Sequence, residues 1–219
     1  YERVETVACE VQKDAEGAGQ RVRTLSRVYY QKPDHLHVEN VTPVRRRIVA
    51  DGTNFYSFIE GDRSGFSRRI EDLETNMLVA LRKVPGTAMD HLLRLRGLSE
   101  TNLAPTAEYP QRRGYVTDKA FVVLSLDATG RLARIEFFAT PEMKQRIGQC
   151  DYGLFEEALP GVWLSRLHKA VLWTGGVESR ETSRYLSLVA NQPIAPHLFV
   201  PGLFFTNVSF VSRFEDIYP

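Results

Sequence analysis

Hydrophobic and polar residues alternate most regularly between positions 28 and 58. Within this stretch Leu36 and Val38 alternate with polar neighbours, and a period of two is typical of a strand that buries one face. Prolines interrupt the alternation, and an Asp51-Gly52 pair further along is typical of a hairpin turn. The pattern therefore predicts consecutive antiparallel strands across positions 28–58.

The same two-residue period recurs in further segments of the remaining chain, and short turns join these segments. The other strands expected from it are Tyr1–Gln12, Arg21–Tyr30, Phe66–Ile70, Gln111–Thr117, Lys119–Leu126, Arg131–Phe138, Lys144–Tyr152, Val162–Thr174 and Ser179–Ala190. The sequence thus predicts a mainly β (α+β) fold, with a largely antiparallel sheet of about 10–12 strands. Strands such as the one containing Phe121 are apolar on both faces, so we expect the sheet to be curved and covered.

Helical spacing replaces the strand pattern in the middle of the chain. Apolar residues recur at intervals of three and four in Asp72–Arg82 and in Thr87–Leu98, and Pro85-Gly86 separates the two stretches. Two short amphipathic helices must bury their apolar stripes against the sheet. Four side chains are expected to face it: Met77, Leu81, Met89 and Leu92.

The C-terminal stretch from position 203 to position 214 is rich in large apolar residues, and it predicts an extra strand or a strap over apolar surface. Its anchors are Leu203, Phe204, Phe205, Phe210 and Phe214.

Composition places the chain among ordinary globular proteins. Its 219 residues are 43% hydrophobic and 25% charged, and this length without repeats or linkers favours a single domain over residues 1–219. Lys and Arg (28) nearly balance Asp and Glu (27), which argues against a nucleic-acid partner. No apolar run is long enough for a transmembrane helix. The chain begins at Tyr1 without a signal peptide, and we interpret it as a processed or trimmed piece.

No catalytic motif accompanies these elements. The chain contains no G-x-S-x-G nucleophile elbow, no Walker loop and no dinucleotide fingerprint, so we expect no catalytic residue and no cofactor. His35, His37 and Glu39 point to the same side of a strand and are a minor candidate for zinc. The favoured interpretation is a solvated face with no metal. In the same way, Arg45-Arg46-Arg47 is interpreted as a solvated strand edge.

The two cysteines, Cys9 and Cys150, are far apart in the sequence. A disulfide between them is possible in an exported protein, and two half-buried thiols are at least as compatible with the sequence.

A short motif connects the first strands to a known family. It consists of K-P-x-x-L-x-V beginning at Lys32, then I-V-A-D-G ending at Gly52, then an aromatic strand. This arrangement resembles the periplasmic lipoprotein-carrier superfamily, which includes LolA-like proteins and the related domain of RseB. The resemblance implies an open half-barrel with a helical lid, a location in the periplasm, and a basic residue that ties the barrel to its lid. That residue is Lys32 in this sequence.

The resemblance also implies a function without enzymatic chemistry. We expect a carrier or sensor that binds a lipid acyl chain or a lipidated peptide in a hydrophobic cavity, with a membrane-associated protein as a possible partner. The alternative is a regulatory domain of the RseB type, which would use the concave sheet face for a protein partner. The expected ligand-binding residues are Lys32, Leu36, Val38, Phe55, Met77, Leu81 and Phe121.

Overall fold

The computed structural model of the chain describes residues 1–217 and is mainly β. Within this part of the chain, fourteen strands follow one another. In order they are β1 (Thr6–Gly17), β2 (Gln20–Gln31), β3 (His35–Thr42), β4 (Arg46–Asp51), β5 (Asn54–Ile59), β6 (Ser64–Arg69), β7 (Glu100–Leu103), β8 (Gln111–Val116), β9 (Phe121–Leu126), β10 (Leu132–Phe138), β11 (Arg146–Leu159), β12 (Val162–Thr174), β13 (Val177–Ala190) and β14 (Ser209–Val211).

Two α-helices lie between β6 and β7, where the sequence predicts them: α1 (Thr75–Leu81) and α2 (Met89–Leu95). Both are shorter than expected, and α1 begins late because Ile70–Asp72 forms a separate 3-10 turn. Gly97 follows α2 with a φ of +83°, a left-handed conformation that glycine adopts without strain and that commonly ends a helix. The other 3-10 turns are Pro196–Phe199, Pro201–Leu203 and Phe214–Asp216.

The hydrogen-bonded strand order is β14-β6-β5-β4-β3-β2-β1-β13-β12-β11-β10-β9-β8-β7. The neighbours from β2 to β6 and from β7 to β13 are antiparallel, whereas β14 joins β6 in parallel. The order has two ends, β14 and β7, so the sheet is open. The predicted mainly β fold, with an open and largely antiparallel sheet and two helices, is confirmed.

The sheet has more strands than the predicted 10–12, and one of those that the sequence did not predict is β7. Its sequence, Glu-Thr-Asn-Leu, is mostly polar and exposed, with only Leu103 half-buried. An edge strand of this kind buries too little surface to produce an alternating pattern.

The strands predicted across positions 28–58 are confirmed as β2 to β5. Gly52 has a φ of +90° in the turn between β4 and β5. The Asp51 carboxylate accepts hydrogen bonds from the backbone N–H groups of Thr53 (2.9 Å) and Asn54 (2.7 Å). The aspartate therefore holds the tight turn that glycine makes possible.

Backbone contacts divide the chain into two compact units. Unit 1 comprises residues 1–12, 23–90 and those from 185 onwards, and unit 2 comprises residues 13–22 and 91–184. The expectation of a single domain stays a prediction.

In unit 1, the apolar residues of β4 to β6 pack against α1 and the residues that precede it. The buried cluster consists of Ala50, Phe55, Phe66, Ile70, Leu73 and Leu81.

In unit 2, β9 is buried on both faces, as its sequence predicts. Phe121 and Val123 form a cluster with Phe138 on β10. On α2, the His91 ring lies 5.4 Å from the ring of Phe137, and its Nε2 lies 3.8 Å from the Cys150 sulfur.

One interpretation made from the sequence needs correction, and one pair of alternatives is decided. The Arg45–Arg47 run does not lie at a sheet edge, because β4 pairs with β3 on one side and with β5 on the other. No disulfide joins Cys9 and Cys150. Burial raises the pKa of the Cys9 thiol to about 12, so this side chain behaves as a small apolar group and not as a nucleophile.

Candidate functional site

The candidate site is the surface of β3–β6 that α1 covers, which we call the α1 face. Strand alternation builds it, because Leu36 on β3 lies opposite Ala50 on β4, and Ala50 lies opposite Phe55 on β5. The side chain of Leu81 at the end of α1 is only 2% exposed in this cluster. Helix α1 is therefore held to the sheet by apolar contact.

Four of the seven predicted ligand-binding residues meet on the α1 face. Phe55 and Leu81 belong to the buried cluster, and Leu36 and Met77 pack against it while remaining partly exposed. Val38 lies two positions after Leu36 on β3 and is half-buried.

The two remaining predicted residues lie elsewhere. Phe121 belongs to the cluster of unit 2. Lys32 contacts the N-terminal segment, where its Nζ donates to the carbonyl oxygens of Glu2 (2.6 Å) and Tyr1 (3.4 Å) and lies 3.7 Å from a carboxylate oxygen of Glu5. This lysine is thus tied to the chain that enters β1.

A bidentate ion pair fastens the end of α1 to the turn between β2 and β3. The Arg82 guanidinium donates from Nε to Oδ1 of Asp34 (2.6 Å) and from Nη2 to Oδ2 (3.0 Å). The Tyr30 hydroxyl donates to the backbone carbonyl of Arg82 at 3.3 Å. We call this group the α1 clamp. A bidentate arginine–carboxylate pair fixes the relative orientation of the two side chains in addition to the attraction between their charges.

The two donor side chains of the α1 clamp, Arg82 and Tyr30, keep their protons across the physiological range. The hydrogen bond from Arg82 to Asp34 raises the pKa of the arginine further above its ordinary value. Burial, followed by the charge of Asp34, raises the pKa of Tyr30 to about 12. Neither donor therefore loses its proton with modest changes of pH.

The face of β3 that is opposite the α1 face is also covered. This finding corrects the prediction that His35, His37 and Glu39 form a solvated face. His37 is 3% exposed, and its Nδ1 lies 2.8 Å from the carbonyl oxygen of Leu198. The His35 ring packs edge-on against Phe199 at 5.2 Å. The cover comes from the C-terminal residues 196–211, which we call the strap.

The strap confirms the prediction of a further strand and of the anchors Phe204, Phe205 and Phe210. The prediction is wrong for Leu203, whose side chain is 61% exposed. Phe204 packs on His37 (4.7 Å between ring centres), and Phe205 packs on Tyr56 and Phe58. The strap ends in β14, which pairs with β6. The side chain of the predicted anchor Phe214 lies outside the described part of the structure.

Two observations bear on other kinds of site. Among residues 1–217, no three histidine, cysteine, aspartate or glutamate side chains come together as a metal site would require. No helix in that range combines the length and apolarity needed to cross a membrane.

The sequence did not reveal the α1 clamp. Asp34 and Arg82 are 48 positions apart, and each is common in the setting where it occurs, a turn and a helix end. The available signal was an acidic residue directly after Pro33, next to the family-like motif, and nothing in it identified a partner.

Known proteins resemble this chain in fold and not in sequence. No protein-family model matches the sequence, and no curated protein matches it either. A solved domain from Vibrio parahaemolyticus assigned to outer membrane lipoprotein sorting is similar with a TM-score of 0.58 and 11% identity, covering 91% of both chains. A LolA superfamily protein from Nitrosomonas europaea (TM-score 0.56, 11% identity) and a DUF1329 family protein from Desulfovibrio piger (0.58, 10%) each match over 90% of both chains. The fold is LolA-like.

Proposed function

We propose that the chain is a non-enzymatic carrier or sensor that holds a lipid acyl chain, free or on a lipidated peptide, on the sheet surface of unit 1 that α1 otherwise covers. The observation that supports this most is the α1 face itself. It is an apolar sheet surface, in a LolA-like fold, covered by one short helix and one clamp.

The helix is suited to displacement because it is short. α1 has seven residues, and a helix of this length is unstable in water without tertiary contacts. Its position therefore depends on the apolar contacts of Met77, Leu78 and Leu81 and on the clamp through Arg82. A ligand that replaces those contacts releases the helix.

The magnitudes allow an acyl chain to replace them. Exposing three apolar side chains costs about 5–9 kcal/mol, at about 1.5–3 kcal/mol for each one. Burying about 14 methylene groups contributes about 11 kcal/mol, at about 0.8 kcal/mol for each. A long acyl chain therefore offsets the loss of α1, whereas a short one does not.

The same proposal includes a periplasmic location and a membrane-associated source of the acyl chain. Its support is the motif that begins at Lys32, together with the fold shared with a domain assigned to outer membrane lipoprotein sorting. Transfer between lipid-bearing partners would require no catalytic group.

A second candidate is a regulatory domain that binds a protein partner. One observation favours it, because Phe55 (7% exposed) and Leu81 (2% exposed) already fill the α1 face with the protein's own side chains. A domain with a fixed core there would present a surface to a partner and would take up no lipid.

A fluorescent fatty-acyl probe of about 14 carbons separates the two candidates. Under the carrier proposal the purified protein binds it with saturation, and Leu36→Glu weakens binding at least about tenfold, because a carboxylate is then placed in the acyl site. Ile48→Glu, at a partly buried position of β4 on the α1 face, gives a second reading if Leu36→Glu impairs folding.

The matched control is Val44→Glu, which places the same charge at an apolar position that is 52% exposed and outside the α1 face. It should leave binding unchanged. The carrier proposal fails if no probe binds, or if the three variants behave alike, and the partner-binding domain then becomes the better account.

A further inference from the structure

A pocket of about 360 Å³ lies in unit 1 where the strap crosses β3, β4 and β5, away from the α1 face. More basic than acidic residues line the pocket. The charged lining residues are Arg27, Arg45, Arg46, Arg47, Glu39 and Glu60. Arg46 shares its side of β4 with Ile48 and Ala50, which is the α1 side. Three guanidinium groups and two carboxylates on the strap side therefore leave a formal excess of one positive charge in the pocket wall.

One carboxylate is shared by two arginines. Glu39 accepts from Nη2 of Arg47 through Oε1 at 2.6 Å, and its Oε2 lies 3.6 Å from Nη1 of Arg27. Glu10 approaches the Nε of Arg27 at 3.8 Å and is not part of the pocket lining. The Nε of Arg47 is buried and has no hydrogen-bond acceptor among residues 1–217. An oxygen of a bound anion is the kind of acceptor that would satisfy it.

The other two arginines lie on opposite sides of the sheet. On the α1 side, Arg46 donates from Nε to the Ser57 hydroxyl at 3.0 Å, so its backbone and not its guanidinium belongs to the strap side. Arg45 lies 3.5 Å from a carboxylate oxygen of Glu60, and both side chains are largely exposed. Arg45 can therefore turn towards a ligand at little cost.

The pocket also has an aromatic wall. The Arg47 guanidinium lies over the Phe204 ring at 4.7 Å, and the rings of Phe58 and Phe205 meet edge-on at 6.4 Å. All three phenylalanines line the pocket. A ligand that fits must be charged at one end and apolar at the other. The volume is near the lower limit for a small-molecule site.

We infer that this pocket binds an organic phosphate monoester with a small apolar or aromatic ester group. A phosphate monoester carries a charge of about −1.5 to −2 at neutral pH, which is opposite in sign to the excess of the lining. It offers three acceptor oxygens, and guanidinium groups bind phosphate through paired hydrogen bonds. The inference is independent of acyl binding at the α1 face and goes beyond it.

Phenyl phosphate is the soluble probe, and isothermal titration calorimetry measures its binding. We expect saturable binding at one site, and at least about tenfold weaker binding of both phenol and inorganic phosphate, because each lacks one half of the recognised group. Binding should weaken as salt is added.

Arg27→Gln/Arg45→Gln tests the charged wall with little risk to folding, because both side chains are more than half exposed. The double variant should bind phenyl phosphate at least about tenfold more weakly. The matched control, Arg21→Gln/Arg96→Gln, removes the same charge at exposed positions outside the pocket and should stay within about twofold.

Two sources share this chemistry, a soluble phosphate ester and a phosphate monoester lipid headgroup. Vesicles of phosphatidylcholine with added phosphatidic acid, compared with phosphatidylcholine alone, distinguish them. Binding to the phosphatidic acid vesicles in competition with phenyl phosphate identifies a headgroup, and binding of phenyl phosphate alone identifies a soluble ligand. The inference is overturned if neither probe binds, or if the pocket and control variants weaken binding equally. Acyl-probe binding would be unaffected by either result.

Discussion

The two faces of strands β3 to β5 carry different side chains and lie under different covers. On the α1 face, Leu36, Ala50 and Phe55 lie in an apolar cluster under α1. On the other face, His37 and Arg47 lie under aromatic residues of the strap. One set of strands therefore supports an apolar site on one side and a polar, aromatic site on the other.

The difference shows how the cover determines what a face can bind. α1 is a short helix fastened by apolar contacts and one ion pair, and a chain of methylene groups can replace such contacts. The strap is held by aromatic contacts, by the hydrogen-bond contact between His37 and Leu198, and by pairing of β14 with β6. We therefore expect the α1 face to open and the strap face to stay closed.

Truncating the buried core under α1 should have the largest effect. Phe66 is 1% exposed, so Phe66→Ala removes a complete ring from the cluster and should lower the free energy of unfolding by about 3–5 kcal/mol. Urea denaturation measures this. Phe66→Leu is the conservative control and should cost clearly less. A loss below about 1 kcal/mol for the alanine variant would mean that the α1 face is not a packed core.

Removing a strap anchor should have a smaller and more local effect. Phe205 packs on Tyr56, Phe58 and Phe210, with ring centres 5.4–6.4 Å apart. Phe205→Ala should cost about 2–3 kcal/mol and should speed amide exchange in residues 196–211. Hydrogen exchange with peptide resolution measures both the size and the place of the change. Unchanged exchange in the strap would contradict its role as a separately anchored cover.

Releasing the α1 clamp should weaken the hold on α1 with little loss of overall stability. Arg82→Gln should lower stability by about 1 kcal/mol, because the Arg82 side chain is 47% exposed while that of Asp34 is 15% exposed. It should also speed association of the acyl probe. Arg69→Gln is the matched control, because Arg69 pairs with Glu71 at 2.9 Å and both are more than 60% exposed. Equal effects of the two variants would remove the special role of the clamp.

The pH dependence of the strap face should be the smallest effect. Burial lowers the pKa of His37 below its ordinary value of 6.5, and the charge of Arg47 acts in the same direction. The unfolded chain therefore takes up this proton first, so the contribution of neutral His37 to stability is complete above pH 6.5 and is lost as the pH falls towards its folded pKa.

His37→Asn should make stability less dependent on pH below 6.5, as thermal unfolding between pH 5 and pH 7.5 would show. A variant that keeps the slope of the parent protein would assign that slope to other groups.

The sequence predicted what depends on nearby residues and missed what depends on distant ones. Alternation at Leu36 and Val38, and the Asp51-Gly52 turn, correctly predicted the strands because each signal lies within the element it forms. The same alternation could not show that the face of His37 is covered, since Leu198 is 161 positions away.

The candidate site follows the same rule. Met77 and Leu81 were placed correctly on the sheet-facing side of α1 by their spacing, and they meet Leu36 and Phe55 there. The clamp between Asp34 and Arg82 depends on how the chain returns to β3, and no local pattern encodes it.

Hydrogen exchange of α1 with and without an acyl ligand tests the central claim most directly. Saturation with the probe should speed amide exchange in Thr75–Leu81, because the acyl chain takes the place of the helix, while exchange in residues 196–211 stays the same. Unchanged exchange in α1 at saturating probe, or equal changes in both covers, would contradict the account.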